Sequence, residues 1–359
     1  MGCTSSVADI PAFPGIPHRL KNSFITKLAH SGSFLRRDRE LGPERNQHVP
    51  RTIRLARSEE ADKQSIESLY RGKFLGEGGF SVCFEYRSTR GTLALKIIPK
   101  TKLKAAKAAA IMQNELVINR MLHHPNIVAF SECFQDDWNI YLVLELCSHG
   151  TLFDVLVRRK KLPENEIAFY LSQLLPGLQY LHSNDILHLD LKPENIFIAD
   201  DFTLKIGDFG VSKRMEPDGS YKLLGKTLLY AAPEVLNKEC IGVASDVWSL
   251  GVMLYVMLVG SSPFDGTTRQ DMKRRILMLD YAFPKHMKCN APIHQLIGSM
   301  IQLCPRDRPS LFEIQHSAFM KSYQSGGTWS SCVVSTHPKP LSRRSISPMD
   351  LITTKFTGA

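Results

Sequence analysis

The sequence predicts an α+β fold in two parts: a small antiparallel β-sheet lobe with one main helix, then a larger, mainly helical lobe, with a cleft between them. Three observations carry this reading. Short runs of strand-forming residues alternate with Gly-rich turns early in the central block. A single Ala-rich run interrupts them. Beyond Leu146 the apolar residues recur at helical spacing.

In chain order, residues 1–69 are rich in Ser, Pro and Arg and show no sustained periodicity before Ser58. They read as a disordered basic arm with a short helix from Ser58 to Tyr70. Leu69–Leu75, Ser81–Ser88 and Thr92–Ile98 read as strands, Lys104–Leu122 as the helix, and Ile127–Phe134 and Ile140–Leu146 as two further strands after the break at His124-Pro125-Asn126. Glu164–His182 and Ser245–Leu258 read as long apolar-faced helices, with smaller ones near Arg269, Pro292 and Ser310. The longest apolar stretch, Val247 to Gly260, has about 14 residues against the ~20 of a membrane-spanning helix, so it reads as a core helix. Residues 324–359, with Gly326-Gly327 and then Ser-, Thr- and Pro-rich sequence, read as a disordered tail. One domain over 70–323 remains.

Hydrophobic residues make up 43% of the 359 and charged residues 22%, which suits a globular protein. None of the eight cysteines forms a C-x-x-C pair or a zinc spacing, so the expectation is reduced thiols in an intracellular protein. The net charge of +10 suits an anionic membrane or acidic partners. No aromatic-interleaved basic repeat accompanies it, and no nucleic-acid partner is expected.

Gly76-Glu77-Gly78-Gly79-Phe80-Ser81 lies between two strands, where glycine lets backbone approach phosphate closely. Alone it is equally a hairpin turn; no helix follows it, which argues against a dinucleotide fold. Lys96 sits in an apolar strand and needs a counter-charge, which Glu115 on the next helix can supply; a surface-facing lysine is the alternative. The decisive segment is His188-Leu189-Asp190-Leu191-Lys192-Pro193-Glu194-Asn195, followed by Asp208-Phe209-Gly210. Phosphoryl transfer needs a carboxylate to orient the attacking hydroxyl, oxygen ligands for magnesium and a cation beside the transferred group. Asp190, then Asn195 with Asp208, and Lys192 supply these.

On these residues the chain resembles the eukaryotic protein kinases over about Tyr70 to Tyr323. The likeness continues through Ala232-Pro233-Glu234, Asp246-Val247-Trp248-Ser249-Leu250-Gly251 and Arg308. It implies the two-lobed protein kinase fold, with ATP and Mg²⁺ as cofactors and Ser or Thr hydroxyls of proteins as acceptors. It implies that Lys96, paired with Glu115, holds the α- and β-phosphates, and that the loop from Gly76 to Ser81 covers the phosphates. Glu145 to Cys147 would meet adenine, lined by Leu75, Cys83 and Ala94, with Leu144 behind. Asn195 and Asp208 would bind Mg²⁺. Glu234 would pair with Arg308, and Asp246 would hold the catalytic loop from below. Lys192 and Thr227 match the serine/threonine form. Among kinases the chain is most similar to the polo-like group, which also has Cys at the position of Cys83.

Three departures stand out. Ser81 replaces the third glycine. Leu189 replaces the usual Arg between catalytic His and Asp, and Leu223 stands where the polo-like phosphorylation site would be, so both the phosphate and its receptor are absent. Ser220 and Tyr221 keep hydroxyls. Polo-box domains do not fit after Tyr323. Met1-Gly2-Cys3-Thr4-Ser5-Ser6 fits N-myristoylation at Gly2, with Cys3 available for palmitate. Ten basic residues between 10 and 57, against Asp38, Glu40 and Glu44, would add attraction to an anionic membrane surface. The expectation is a monomeric, intracellular, cytoplasmic enzyme with membrane association through acylation; the resemblance leaves the nucleus and the spindle pole open. A pseudokinase or a membrane-anchored scaffold is the alternative. Arg343-Arg344-Ser345-Ile346-Ser347-Pro348 also resembles a phosphoacceptor site.

Overall fold

The computed structural model describes residues 35–36, 49–59, 63–78, 81–104, 106–215, 228–285 and 290–324. They fall into two units: one holds the residues up to Leu116 together with Ala129–Leu146, the other Val117–Val128 and the residues from Cys147 onward.

The first unit is an antiparallel sheet of seven strands: β1 (Leu35–Arg36), β2 (Thr52–Glu59), β3 (Lys63–Glu77), β4 (Val82–Ser88), β5 (Gly91–Pro99), β6 (Phe130–Gln135) and β7 (Asn139–Glu145). Their spatial order is β1-β2-β3-β4-β5-β7-β6. Side chains alternate across a pleated strand, so each strand serves two faces. One face buries Ile53, Leu55, Leu69, Tyr86, Leu95, Ile97, Tyr141 and Val143 in a single cluster. The other sets Ile98, Ile140 and Leu142 against Met112 and Leu116 of α1 (Ala106–Met121), which follows a 3₁₀ turn at Lys100–Lys104.

The helix expected over Ser58–Tyr70, and the disorder expected over 49–59 and 63–69, are corrected here; the rest of the arm apart from 35–36, and the expected tail beyond Gln324, lie outside the described residues. Ser58 and Glu59 end β2, and Lys63–Tyr70 begin β3, paired in register from Thr52↔Tyr70 to Glu59↔Lys63. The reason is a period of two: Ile53 and Leu55 point into the core while Arg54 between them stays exposed. The segment just before β2 is also tied down. The Tyr86 hydroxyl donates to Pro50 O at 2.6 Å, Arg71 N to Arg51 O at 2.8 Å, and Arg71 Nη1 to Val49 O at 3.0 Å. These bonds tie the chain from Val49 onward to the sheet. The expected strand from Ile127 begins only at Phe130; Ile127 makes an isolated bridge to Ile206.

The second unit is mainly helical: α2 (Leu152–Arg159), α3 (Glu164–Ser183), α4 (Pro233–Asn237), α5 (Val243–Val259), α6 (Arg269–Leu277), α7 (Ala291–Met300), α8 (Leu311–Gln315) and α9 (Ala318–Gln324). Four short strands accompany them: β8 (Ile186–Leu187), β9 (Ile196–Ile198), β10 (Leu204–Ile206) and β11 (Lys213–Arg214). β9 pairs with β10, and β8 with β11. A Thr151–Asp154 capping box starts α2: Asp154 N donates to Thr151 Oγ1 and Thr151 N to Asp154 Oδ2. As expected, Val247–Gly260 is core: α5 buries Trp248, Leu250, Val252, Met253, Leu254 and Met257. A Cβ at Gly251 would stand 2.7 Å from Met300 Cβ, so α5 and α7 approach more closely than any side chain there allows. Among the described residues no helix is long and apolar enough to cross a membrane.

Candidate functional site

In the first unit Lys96 occupies the middle of β5, opposite Cys83 on β4 and Leu142 on β7. Its Nζ lies 2.5 Å from Glu115 Oε1, with side-chain exposures of 18% and 5%. The expected pairing is present, and it answers why an apolar strand tolerates a lysine: the partner carboxylate is itself buried and would be costly alone. Ala94 stands opposite Leu144. Glu145 ends β7; its N–H donates to Ala129 O at 2.9 Å and its Oε2 accepts from Ala129 N at 3.1 Å. Gly76 and Glu77 pair with Cys83 and Val82, and a register shift separates Gly76 from Phe74. Leu75 lies within that shift. Gly78 N donates to Ser81 O at 2.8 Å, which closes the turn. Gly79 and Phe80 lie outside the described residues.

In the second unit the segment from His188 to Asn195 is fixed from beneath by Asp246 of α5. Asp246 is fully buried, and it accepts His188 N on Oδ2 at 2.9 Å, Leu189 N on Oδ1 at 2.8 Å, and His182 Nε2 on Oδ2 at 2.9 Å. Burial alone would raise its pKa. The hydrogen bond and charge of His182, with His188 and the Leu189 N–H, outweigh that and hold the carboxyl below the ordinary carboxylate range. This anchoring keeps Leu189 at φ 63, a left-handed conformation that a leucine does not favour. His188, fully buried, accepts Asp190 N on Nδ1 at 3.3 Å and donates from Nε2 to Gly207 O at 3.1 Å. Ser212 Oγ donates to His188 O at 3.0 Å. Gly207 N in turn donates to Asn195 O at 3.0 Å, so the two loops share one hydrogen-bonded frame. A Cβ on Gly207 would lie 2.9 Å from both Phe197 and Val128.

On that frame Asp190, Lys192 and Asn195 converge. Lys192 Nζ donates to Asp190 Oδ2 at 2.6 Å, and Asn195 Nδ2 to Asp190 O at 2.8 Å and to Asp190 Oδ2 at 3.2 Å. Since Asn195 spends its N–H groups on Asp190, Oδ1 is the atom it can offer a cation. Asp208, next to Gly207, is exposed, with φ 63, and Phe209 after it is fully buried. One amide oxygen and one carboxylate form the hard oxygen set Mg²⁺ takes when phosphates and water complete its shell. The donor set therefore fits that ion. No cluster of three or more metal-ligating side chains occurs among the described residues. Glu194 Oε2 is buried without a partner, and burial raises its pKa.

Glu234 and Arg308 form the expected buried pair, bidentate at 2.7 and 2.8 Å, with Ser245 Oγ donating to Glu234 Oε1 at 2.6 Å. Arg308 also stacks over Trp248. Cys147 O accepts Gly150 N at 3.4 Å. Thr227, Ser220, Tyr221, Leu223, Gly2, Cys3 and Ser345–Ser347 lie outside the described residues. His182 and Ser212 were not foreseen. Nothing local in the sequence marks them, because their partners lie at Asp246 and His188.

The model of the protein kinase domain matches residues 69–320. The chain is similar to mouse "Serine/threonine-protein kinase PLK2", 40% identical over 266 residues, covering 73% of this chain and 39% of the relative. It is 39% identical over 272 residues to yeast (Saccharomyces cerevisiae) "Cell cycle serine/threonine-protein kinase CDC5/MSD2", covering 74% and 38%. To Xenopus laevis "Serine/threonine-protein kinase PLK1" it is 39% identical over 264 residues, covering 73% and 44%. The chain thus spans roughly two fifths of the length of the curated relatives it matches.

Proposed function

Because the chain belongs to the protein kinase domain family, and its relatives are polo-like serine/threonine kinases, we propose that it transfers the γ-phosphoryl group of Mg-ATP to Ser or Thr hydroxyls of proteins. The observation that carries this reading is the Asp190–Lys192–Asn195 cluster held from below by Asp246. Asp190 orients the acceptor hydroxyl and takes its proton as the oxygen bonds to phosphorus and ADP leaves. Lys192, already against Asp190, offsets the negative charge on the moving group. Asn195 and Asp208 supply protein ligands to the magnesium that enters with ATP, and Lys96, oriented by Glu115, receives the α- and β-phosphates. The test is phosphoamino-acid analysis of casein incubated with the purified chain and Mg-ATP. Phosphoserine and phosphothreonine are expected, and Asp190→Asn should lose them; phosphotyrosine alone, or transfer undiminished by Asp190→Asn, would overturn the assignment.

Leu189 supports a second element: this kinase does not use the activation-segment phosphate, since neither the receiving Arg nor, at Leu223, the hydroxyl is present. Activity that tracks phosphorylation of Ser220 or Tyr221 by mass spectrometry would refute it. The same Leu189 gives the pseudokinase reading its footing, and the casein assay separates the two. The protein acts as a cytoplasmic monomer carried to membranes by myristate on Gly2 and palmitate on Cys3, a reading supported by the Met1–Ser6 motif. Labelling with a myristate analogue should vanish in Gly2→Ala; equal labelling would exclude the motif. Light scattering checks the monomer.

A further inference from the structure

The end of α2 carries four consecutive cations, Arg158, Arg159, Lys160 and Lys161. The helix stops because Lys160 takes φ 69 and ψ −53. Lys161 N donates to Arg159 O at 2.8 Å, so residues 159–161 form a γ-turn of the rare, strained hand. A left-handed φ at a helix end normally falls to glycine or asparagine, since a Cβ is costly there. Here the residue is a lysine. The turn is locked within the helical unit. Lys160 N donates to Leu156 O at 2.8 Å, and Leu162 N to Met257 O of α5 at 2.8 Å. Gly260 follows α5 without a Cβ, which would stand 2.8 Å from Lys160 O. Arg159 Nη1 lies 2.7 Å from Glu166, which also accepts the Tyr170 hydroxyl at 2.8 Å.

The helix dipole accounts for Arg158 and Arg159 in the last turn, but not for two further cations beyond it. The carboxylates closest in the chain are in use. Glu166 serves Arg159 and Tyr170; Glu164 accepts Asn290 N, Asn290 Nδ2 and the Tyr323 hydroxyl; Asp154 closes the capping box. Lys160 and Lys161 are exposed and Arg158 partly so, and no carboxylate among the described residues pairs with these three. We propose that this turn docks an acidic, extended segment of a partner protein, whose carboxylates meet the three open cations. Charge complementarity sets the chemistry, and the surroundings select a polypeptide. A bilayer takes up exposed apolar side chains, but Leu156 and Leu162 beside the turn are buried. Single-stranded nucleic acid stacks on aromatic rings, and none of Phe153, Phe169 and Tyr170 is exposed. Because the backbone of the turn is already fixed, the ordering cost of docking falls on the partner. The strained lysine has no role in the packing of the turn, and its role is to hold a cation outward. The inference does not depend on phosphoryl transfer.

The experiment titrates the full chain into fluorescein-labelled oligoglutamate, followed by anisotropy, with oligoglutamine as the control. A parallel sample is coupled to oligoglutamate by carbodiimide, and the joined lysines are mapped by peptide mass spectrometry. Oligoglutamate should bind and oligoglutamine should not, with cross-links at Lys160 and Lys161. Lys160→Gly should weaken binding about threefold, the worth of one exposed ion pair, and Arg158→Glu with Lys160→Glu and Lys161→Glu about thirtyfold. Thermal unfolding shows that the variants fold; should the triple variant misfold, Lys160→Gly and the cross-links carry the test. Lys160→Gly should unfold at the same temperature as wild type or higher, because glycine relieves the left-handed φ. A lower unfolding temperature would give the lysine a structural role and overturn the proposal. So would variants that bind as well as wild type, or cross-links confined to Lys21 and Lys27, which would assign the binding to the basic residues before Ser58. Loss of binding to phosphatidylserine vesicles or to oligothymidine in the triple variant, with oligoglutamate binding unchanged, would overturn it in favour of those ligands.

Discussion

Asp246→Asn tests whether one buried carboxylate holds the catalytic loop in its working shape. Wild-type Asp246 accepts three hydrogen bonds, two on Oδ2 from His182 and His188 N and one on Oδ1 from Leu189 N. An asparagine keeps one oxygen. Its better orientation preserves the two bonds on the Oδ2 side and turns an amide N–H against Leu189 N–H. Orphaning that donor costs about 1–3 kcal/mol, and losing the charge on the other two bonds adds roughly 1 kcal/mol, so the fold should lose ~2–4 kcal/mol. Leu189, no longer held at φ 63, can relax, and Asp190 moves with it. A displacement near 1 Å costs on the order of a hundredfold in rate. The assay is kcat with casein at a temperature where the variant stays folded, beside its thermal unfolding curve. KM for ATP should change little. The pH dependence has a definite sign. Asp246 has a lowered pKa in the fold, so its contribution is present above the unfolded value near 4 and is lost as pH falls through the folded one. The stability gap between wild type and Asp246→Asn should therefore narrow in acid. A variant with wild-type kcat, or a gap that widens in acid, would refute the reasoning.

Three further outcomes follow from the same geometry. Lys96→Met should abolish measurable transfer and also cost about 3–5 kcal/mol of stability, because it takes the cation away from the buried Glu115 carboxylate; scanning calorimetry and the casein assay check it. Glu234→Gln and Arg308→Ala should each cost about 3–5 kcal/mol, and a double-mutant cycle by urea unfolding should show that the second change costs far less once the first is made. Glu194→Gln should stabilise the protein by about 1 kcal/mol at neutral pH, since a buried carboxylate oxygen lacks a partner. Its folded pKa is raised, so wild type loses stability as pH rises past the unfolded value, and the gain should shrink in acid.

Most of the site could be read from the sequence because its chemistry is local. Asp190, Lys192 and Asn195 sit within six residues, and one turn brings them together. Lys96 and Glu115 belong to a strand and the next helix, and an apolar strand that contains a lysine already asks for a partner. The residues that fix the loop were legible only in part. Asp246 was recognised by likeness to the family, while His182 contributes through a contact 64 residues away in sequence that no local pattern encodes. The miss at the N-terminus has a different cause. Ile53 and Leu55 alternate with Arg54 as a half-buried strand requires, but the density of arginine made the segment read as a solvated arm. Charge on one face of a strand does not prevent burial of the other. The Thr151–Asp154 capping box was likewise in plain view, and it would have located α2.

The most direct measurement is phosphate transfer from Mg-ATP to casein by the purified chain, beside Asp208→Ala, with ATP binding followed in parallel. Transfer to Ser or Thr that disappears in Asp208→Ala is the expected result, and it would also show that Leu189 does not block catalysis. ATP binding without transfer in the wild-type chain would contradict the central claim and identify the fold as a scaffold rather than an enzyme.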